Sequence, residues 1–298
     1  MDQNSLRIGT SGWSYKEWEG VFYPNSNTPK LTFYSNIFKT AEIDSTFYAN
    51  PSKGLVVGWL RNSPKDFEFS VKIPQVITHK KQLDLRAGSE VDLVEFLDLM
   101  EPLRDAGKLG PLLVQLPPSF GRNKLDKLQE FLDALPRKKN FYKFAIEFRN
   151  KSWLKDSEEV NDLLRKYNIA KTVVDEPLLP VDLTGTADFA FIRWHGRGER
   201  PWYNYRYNQE ELEPWVERVK NEMKGTKKIY GYFNNHFHGY AIENGLEFLE
   251  RLNLATKEQQ ETLSSVRDFI EGRRPAKEIP EKGKSRLVAS DQKTLIEF

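Results

Sequence analysis

The chain has 298 residues, 45 Lys and Arg against 43 Asp and Glu for a net charge of +2, 39% hydrophobic and 13% aromatic residues, and no cysteine. Lack of cysteine excludes disulfides, thiolate-held zinc, iron–sulfur clusters and a thiol nucleophile. The balanced charge does not by itself announce a nucleic-acid or membrane-surface protein, and no run approaches the roughly 18 to 20 apolar residues that cross a bilayer, so no membrane partner is expected.

The first residues, MDQNSLRIGTSGW, pass directly into a strand-like run with no charged and apolar leader, which predicts a cytoplasmic protein. Short apolar or alternating runs then recur as LRIGTSG (6–12), AEIDST (41–46), FEFSVKIP (67–74), LLVQLP (112–117), KFAIEFR (143–149), AKTVVD (170–175), FAFIRWHG (189–196) and KIYGYFNN (228–235). Between them lie helix-period stretches, among them EVDLVEFLDLMEPLRDAG, NKLDKLQEFLDAL and EELEPWVERVKNEMKG. The segment EPLLPVDLTGTA after the sixth run carries two prolines and little helical pattern. Eight alternations of strand and helix predict an α/β fold, a single-domain (β/α)8 TIM barrel over residues 1–255. A helix over 256–271 and a flexible basic tail over 272–298 are expected to follow.

Alternate residues of a strand face one side. Polar residues keep one parity: Glu42, Asp44 and Thr46; Glu68, Ser70 and Lys72; Gln115; Glu147 and Arg149; Arg193 and His195; Tyr232 and Asn234; with Asp175 ending the sixth run. Their apolar neighbours Ile43, Phe69, Val71, Ile146, Ile192 and Trp194 then face the helices. Charges this numerous cannot fill a dry core unless paired or hydrated, so most are expected at an open mouth formed by strand carboxyl ends.

IGTSGWSYKEWEGVFYP, EIDSTFY, VKIPQVITHKK, VQLPPSF, AIEFRNKSW, IRWHGR with WYNYRY, and YFNNHFHGYAIENG together resemble the YecE-like family of unknown function, domain of unknown function 72, over roughly residues 6 to 250. The resemblance implies a TIM barrel and little chemistry.

Asp44, Glu147 and Asp175 suit general acid/base work, or else belong to an ion-pair network with Arg149 or Arg193. Lys72 fits a phosphate contact, a carboxylate partner or an amine nucleophile. His195 is either a proton carrier or an orienting histidine. His236 and His238 in NHFH are read as loop hydrogen-bonders, and no metal or other cofactor is expected. Trp13, Tyr48, Trp202 and Tyr203 would stack on a base or sugar, with Arg197, Arg200 and Arg206 interleaved; Gln115, Asn234 and Asn235 would read the base; Arg149 and Arg193 would contact phosphates.

In the tail, Arg273, Arg274, Lys277, Lys282, Lys284 and Arg286 outnumber Glu278 and Glu281. Gln292, Leu295 and Phe298 then resemble the peptide by which replication and repair proteins hold the sliding clamp PCNA, its apolar pair falling on one side of a helical turn. From these features the chain is expected to be a DNA repair hydrolase that partners DNA and the clamp, foremost a DNA glycosylase with Lys72 as the amine of a lyase variant. A metal-assisted repair endonuclease, a carbohydrate or sugar-phosphate hydrolase, and a non-catalytic binding protein are the alternatives.

Overall fold

Val, Ile, Phe and Tyr dominate the short runs, and such side chains fit the pleated surface of a sheet. In the computed structural model, which describes residues 5–135, 142–155, 157–199, 201–222 and 226–273, these runs form parallel strands. They are β1 (Leu6–Thr10), β2 (Thr40–Ile43), β3 (Glu68–Lys72), β4 (Leu109–Gln115), β5 (Phe144–Glu147), β6 (Ala170–Lys171), β7 (Val173–Asp175), β8 (Phe189–Trp194) and β9 (Lys228–Phe233). The described strands number nine, not eight, because AKTVVD is interrupted at Thr172, whose N–H bonds Ile146 O at 2.8 Å.

Parallel neighbours need crossover connections. Most are helical: α1 (Lys30–Ile37), α2 (Lys53–Arg61), α3 (Ser89–Asp105), α4 (Leu125–Ala134), α5 (Ser157–Tyr167) and α6 (Gln209–Glu217), with α7 (Tyr240–Arg251) and α8 (Lys257–Ile270) after the last strand. The connection from β7 to β8 contains no helix, as Pro177 and Pro180 lead one to expect. The result is a mixed α/β domain with two parallel sheets, ordered β1-β9-β8-β7 and β2-β3-β4-β5-β6.

The sheets meet where β1 passes β2. Ser11 and Glu42 form an isolated parallel bridge, and Gly12 N–H donates to Glu42 O at 2.8 Å. Gly9 permits this approach, since a Cβ there would stand 2.2 Å from Thr40 O.

Ile43, Phe69, Val71, Ile146, Ile192 and Trp194 join the large core with helix residues such as Trp59, Phe96, Leu164 and Phe248, as their parity predicts. Leu113, Ala145, Phe191 and Tyr232 form a second, smaller cluster on the other parity. Tyr232 Oη is bonded there to Ser70 Oγ at 2.6 Å and Thr40 Oγ1 at 2.8 Å. Not every polar residue of that parity lies at a carboxyl end. Glu68 opens β3 and accepts from Arg7 Nε at 3.0 Å, Lys228 Nζ at 2.5 Å and Tyr230 Oη at 2.8 Å, an ion cluster at the opposite end of the strands.

A capping box between Thr256 and Gln259 starts α8. Gln259 Nε2 also donates to Ile37 O at 2.6 Å, satisfying a carbonyl that ends α1. No described helix is long and apolar enough to cross a membrane.

Gly9→Ala is expected to cost about 3 kcal/mol, the upper range for overpacking, because the Thr40 carbonyl that its Cβ would meet is backbone and cannot yield. Gly58→Ala, inside α2 with nothing within 4 Å of the new Cβ, is expected to stabilise by up to about 1 kcal/mol. Urea denaturation midpoints of the two variants check both; a tolerated Gly9→Ala would contradict the tight β1–β2 contact.

Candidate functional site

The carboxyl ends of β2, β5 and β8 converge on one buried cation. Arg193, 1% exposed, donates from Nη2 to Glu42 Oε1 at 2.6 Å and from Nη1 to Glu147 Oε2 at 2.8 Å. Asp44 Oδ1 stands 3.5 Å from Nη2. Glu147 is shared, since Arg149 Nε donates to its other oxygen, and Arg149 continues to Glu176 through Nη1 and to His195 Nε2 at 2.8 Å through Nη2. A guanidinium can only donate, so Nε2 of His195 accepts; across the ring, Nδ1 stands 2.9 Å from the side-chain amide nitrogen of Asn234.

This arrangement separates the carboxyls. Burial pushes Glu147 up, but Arg149 and Arg193 more than offset it and hold the group well below the usual range. For Glu42 burial wins over Arg193, with Asp44 adding to the rise, and its carboxyl is pushed up to about 7. Burial and the two arginines lower His195 to about 3, so it stays neutral and serves as an orienting acceptor rather than a proton carrier near neutral pH.

Above the arginines lies a more open rim. The Asp44 side chain is 28% exposed and Tyr48 49% exposed. Lys72 Nζ lies 4.2 Å from the Phe47 ring centre, and the same ring meets His79 edge-on at 4.9 Å. Burial, reinforced by Lys72 and Arg149, lowers His79 to about 4. Opposite, His236 is stacked between Tyr15 at 4.3 Å and Tyr203 at 5.5 Å, while its backbone O accepts from Trp18 Nε1 at 2.7 Å. Gln115 ends β4 in register with Glu147.

Asp44, Lys72, Gln115, Glu147, Arg149, Arg193, His195 and Asn234 thus belong to the ends of the strands, with Tyr48 and Tyr203 at the rim. Several other candidates lie elsewhere. Asp175 accepts from Arg197 Nε at 2.9 Å and from Trp215 Nε1 of α6 at 3.1 Å, so it joins a separate helix-facing cluster. Trp13 is half-buried and packs against the core on Trp59 and Phe69, with its carbonyl taken by Tyr23. Asn235 donates to Tyr205 O and Asn244 Oδ1, both at 2.8 Å, and so anchors the segment around Tyr205. Trp202 lies on that same segment, where its carbonyl accepts from Gly198 N–H at 3.1 Å. Arg206 is paired with Glu243. Arg200 and the peptide Gln292, Leu295 and Phe298 lie outside the described residues.

Three residues of the site were not among the expected site residues, although Glu42 was placed on the polar face and His236 was read as a loop hydrogen-bonder. Glu42 carries the same parity signal as Asp44; Glu176 follows a strand end without any pattern; His236 owes its place to stacking across distant segments.

Residues 7–267 match a family model described as protein of unknown function DUF72. The chain is 28% identical over 272 residues to the UPF0759 protein YunF of Bacillus subtilis, covering 84% of this chain and 95% of that one. It is 27% identical over 237 residues to the UPF0759 protein YecE of Escherichia coli K12, covering 72% and 80%. A DUF72 family protein of Thermotoga maritima superposes with a TM-score of 0.74 at 35% identity, covering 83% of this chain and 99% of that chain. One from Enterococcus faecalis superposes with a TM-score of 0.73 at 25% identity, covering 85% and 97%.

These matches overturn the expected DNA repair hydrolase, because the family spanning nearly all of the described chain is one of unknown function and none of these relatives is described as a glycosylase, nuclease or repair protein. The geometry supplies a physical reason. Arg149 and Arg193, expected on phosphates, are spent on Glu42, Glu147 and Glu176, and Trp13, expected to stack on a base, is a packing residue.

A group whose folded pKa is raised stabilises the fold below its unfolded value and loses that contribution as pH rises through the folded one. For Glu42 the window runs from 4.5 to about 7. The stability of the parent relative to Glu42→Gln is therefore expected to fall across that window, with a slope of up to about 1.4 kcal/mol per pH unit. Denaturation at half-unit pH steps measures it; a difference that rises with pH would place the Glu42 carboxyl on the ionised side.

Proposed function

The chain belongs to the DUF72 family, whose function is not established, and on that footing we propose that the strand ends form a small-molecule site. It takes a compact ligand bearing hydroxyl or amino donors and moves protons on it through Glu42. One observation carries this reading: the buried oxygens Glu42 Oε2 and Asp44 Oδ1 have no hydrogen-bond partner among the described residues, beside a largely saturated ion network. A buried acceptor left unbonded costs about 1–3 kcal/mol, so a donor-bearing ligand that reaches both oxygens is favoured there. A carboxyl pushed up to about 7 is present in both forms near neutral pH, the condition for general acid/base exchange. Tyr48 and Tyr203 offer aromatic faces at the rim, and Gln115 an amide.

We read the two sheets as one closed (β/α)8 barrel. The Ser11–Glu42 bridge between β1 and β2 and the single residue between β6 and β7 support that closure. Barrels of this kind carry their sites at the carboxyl ends of the strands.

The C-terminal peptide is a separate matter of partners. Gln292, Leu295 and Phe298 lie beyond residue 267, where the family match ends, and we propose that they dock on a ring-shaped sliding clamp, whatever the strand ends do. Calorimetry with a clamp is expected to show micromolar binding that Leu295→Ala, Phe298→Ala abolishes; no binding by the parent chain refutes it.

A thermal-shift screen of polyols, amino alcohols and amino acids tests the site. It is expected to return a stabilising compound whose affinity drops at least about tenfold in Asp44→Asn and in Glu42→Gln, the loss of roughly one charged hydrogen bond. Binders indifferent to both substitutions, or no binder at all, would sink the reading. A binder that undergoes no proton exchange with solvent in NMR would leave a binding protein and remove the catalytic half.

A further inference from the structure

Buried lysines normally find acceptors, and this chain follows the rule twice. Lys108 Nζ donates to Leu60 O at 2.9 Å, Ser63 O at 2.7 Å and Ser63 Oγ at 3.0 Å. Lys171 Nζ donates to Asn161 Oδ1 at 3.0 Å and to Asp182. Lys72, the half-buried last residue of β3, makes no such contact. Among the described residues its amine has no hydrogen bond within 3.5 Å and no carboxylate oxygen within 4.0 Å, although Asp44, Glu147 and Glu42 all act on it at longer range. The contact that its Nζ makes is with the face of Phe47. A structural lysine beside three carboxylates would be expected to close an ion pair; this one is held short of them, half-buried, on a ring.

We propose that Lys72 is a nucleophilic amine that forms an imine with a small aldehyde or ketone. The inference rests on the small-molecule site proposed above and names its substrate class as a carbonyl compound carrying hydroxyl or amino groups. Burial lowers the amine's affinity for a proton against the pull of Asp44, and Arg193 adds to the lowering, which enlarges the share of free base.

The steps balance within the site. The amine lone pair forms a bond to the carbonyl carbon as the C=O π pair moves onto oxygen, and one amine proton passes to that oxygen to give a carbinolamine. The C–O bond then breaks, the nitrogen lone pair forms the C=N bond, and a proton from the Glu42 carboxyl completes the departing water. An iminium with one N–H and one positive charge remains beside the newly ionised Glu42. The substrate's own donors fall to Glu42 Oε2 and Asp44 Oδ1, the two unbonded oxygens of the same cluster. The cation that forms remains over Phe47, where a ring face stabilises positive charge.

Reductive trapping tests this on the full chain without relying on any variant. The protein is incubated separately with glycolaldehyde, dihydroxyacetone and pyruvate, reduced with sodium borohydride, and mapped by intact mass and peptide mass spectrometry. The expected result with at least one probe is a single adduct on the peptide containing Lys72, at least tenfold above the labelling of any exposed lysine. Its rate of formation is expected to fall about tenfold in Glu42→Gln. Labelling of Lys72 no greater than that of exposed lysines, with all three probes, overturns the inference. If in that case Asp44-dependent binders still emerge from the thermal-shift screen, the small-molecule site survives and the imine alone is lost; if they do not, both fall.

Discussion

The buried guanidinium of Arg193 is the constraint on which the strand ends depend. It rises from β8 in one sheet and is met by Glu42 of β2 and Glu147 of β5 in the other. A cation removed from water is tolerated only where carboxylates and hydrogen bonds replace its hydration. The charge therefore specifies where three strands from two sheets must stand. Because buried ion pairs roughly break even against apolar packing, the arrangement is better explained by the geometry it imposes than by stability it adds. Glu147, once committed to Arg193, also fixes Arg149, which in turn reaches Glu176 and His195.

That network divides the polar groups into two populations. The inner one is paired: both arginines meet carboxylates, His195 is kept neutral beside Asn234, and within it only Nε of Arg193 lacks a hydrogen bond among the described residues. The outer one is open: Glu42 presents one unbonded oxygen, Asp44 another, and Lys72 an amine resting on Phe47. The proposed site draws on the outer group, because groups with unused acceptors or lone pairs can respond to a ligand. The relatives share the architecture with no assigned activity, and architecture by itself does not choose one.

Much of the fold was legible. The runs starting at Leu6, Phe67, Lys143, Phe189 and Lys228 became strands within a few residues of their predicted bounds, and the proline-bearing segment after Asp175 made no helix. The site was legible in part, for a specific reason. Parity places Glu42, Lys72, Glu147 and Arg193 on one face but is silent about partners; it could not tell that Glu68 sits at the opposite end, tied to Arg7 and Lys228. Asp175 shares the helix-facing parity of Lys171 and Val173, and so meets Trp215. Trp13, Trp202 and Tyr203 look alike as aromatics in a loop; packing alone separates Trp13, which lies on Trp59 and Phe69, from Tyr203, which stacks on His236.

By itself the sequence determined the alternation of strand and helix, the polar and apolar faces of each strand, and the absence of thiol chemistry, because these follow from local periodicity and composition. Tertiary structure alone decided which charges neutralise one another, that His195 is a fixed acceptor, that Glu42 titrates near neutrality, and that Lys72 lacks a close counter-ion. Those properties depend on burial and on contacts between residues far apart in the chain, as with Glu42 and Arg193 at 2.6 Å, and no local pattern encodes them.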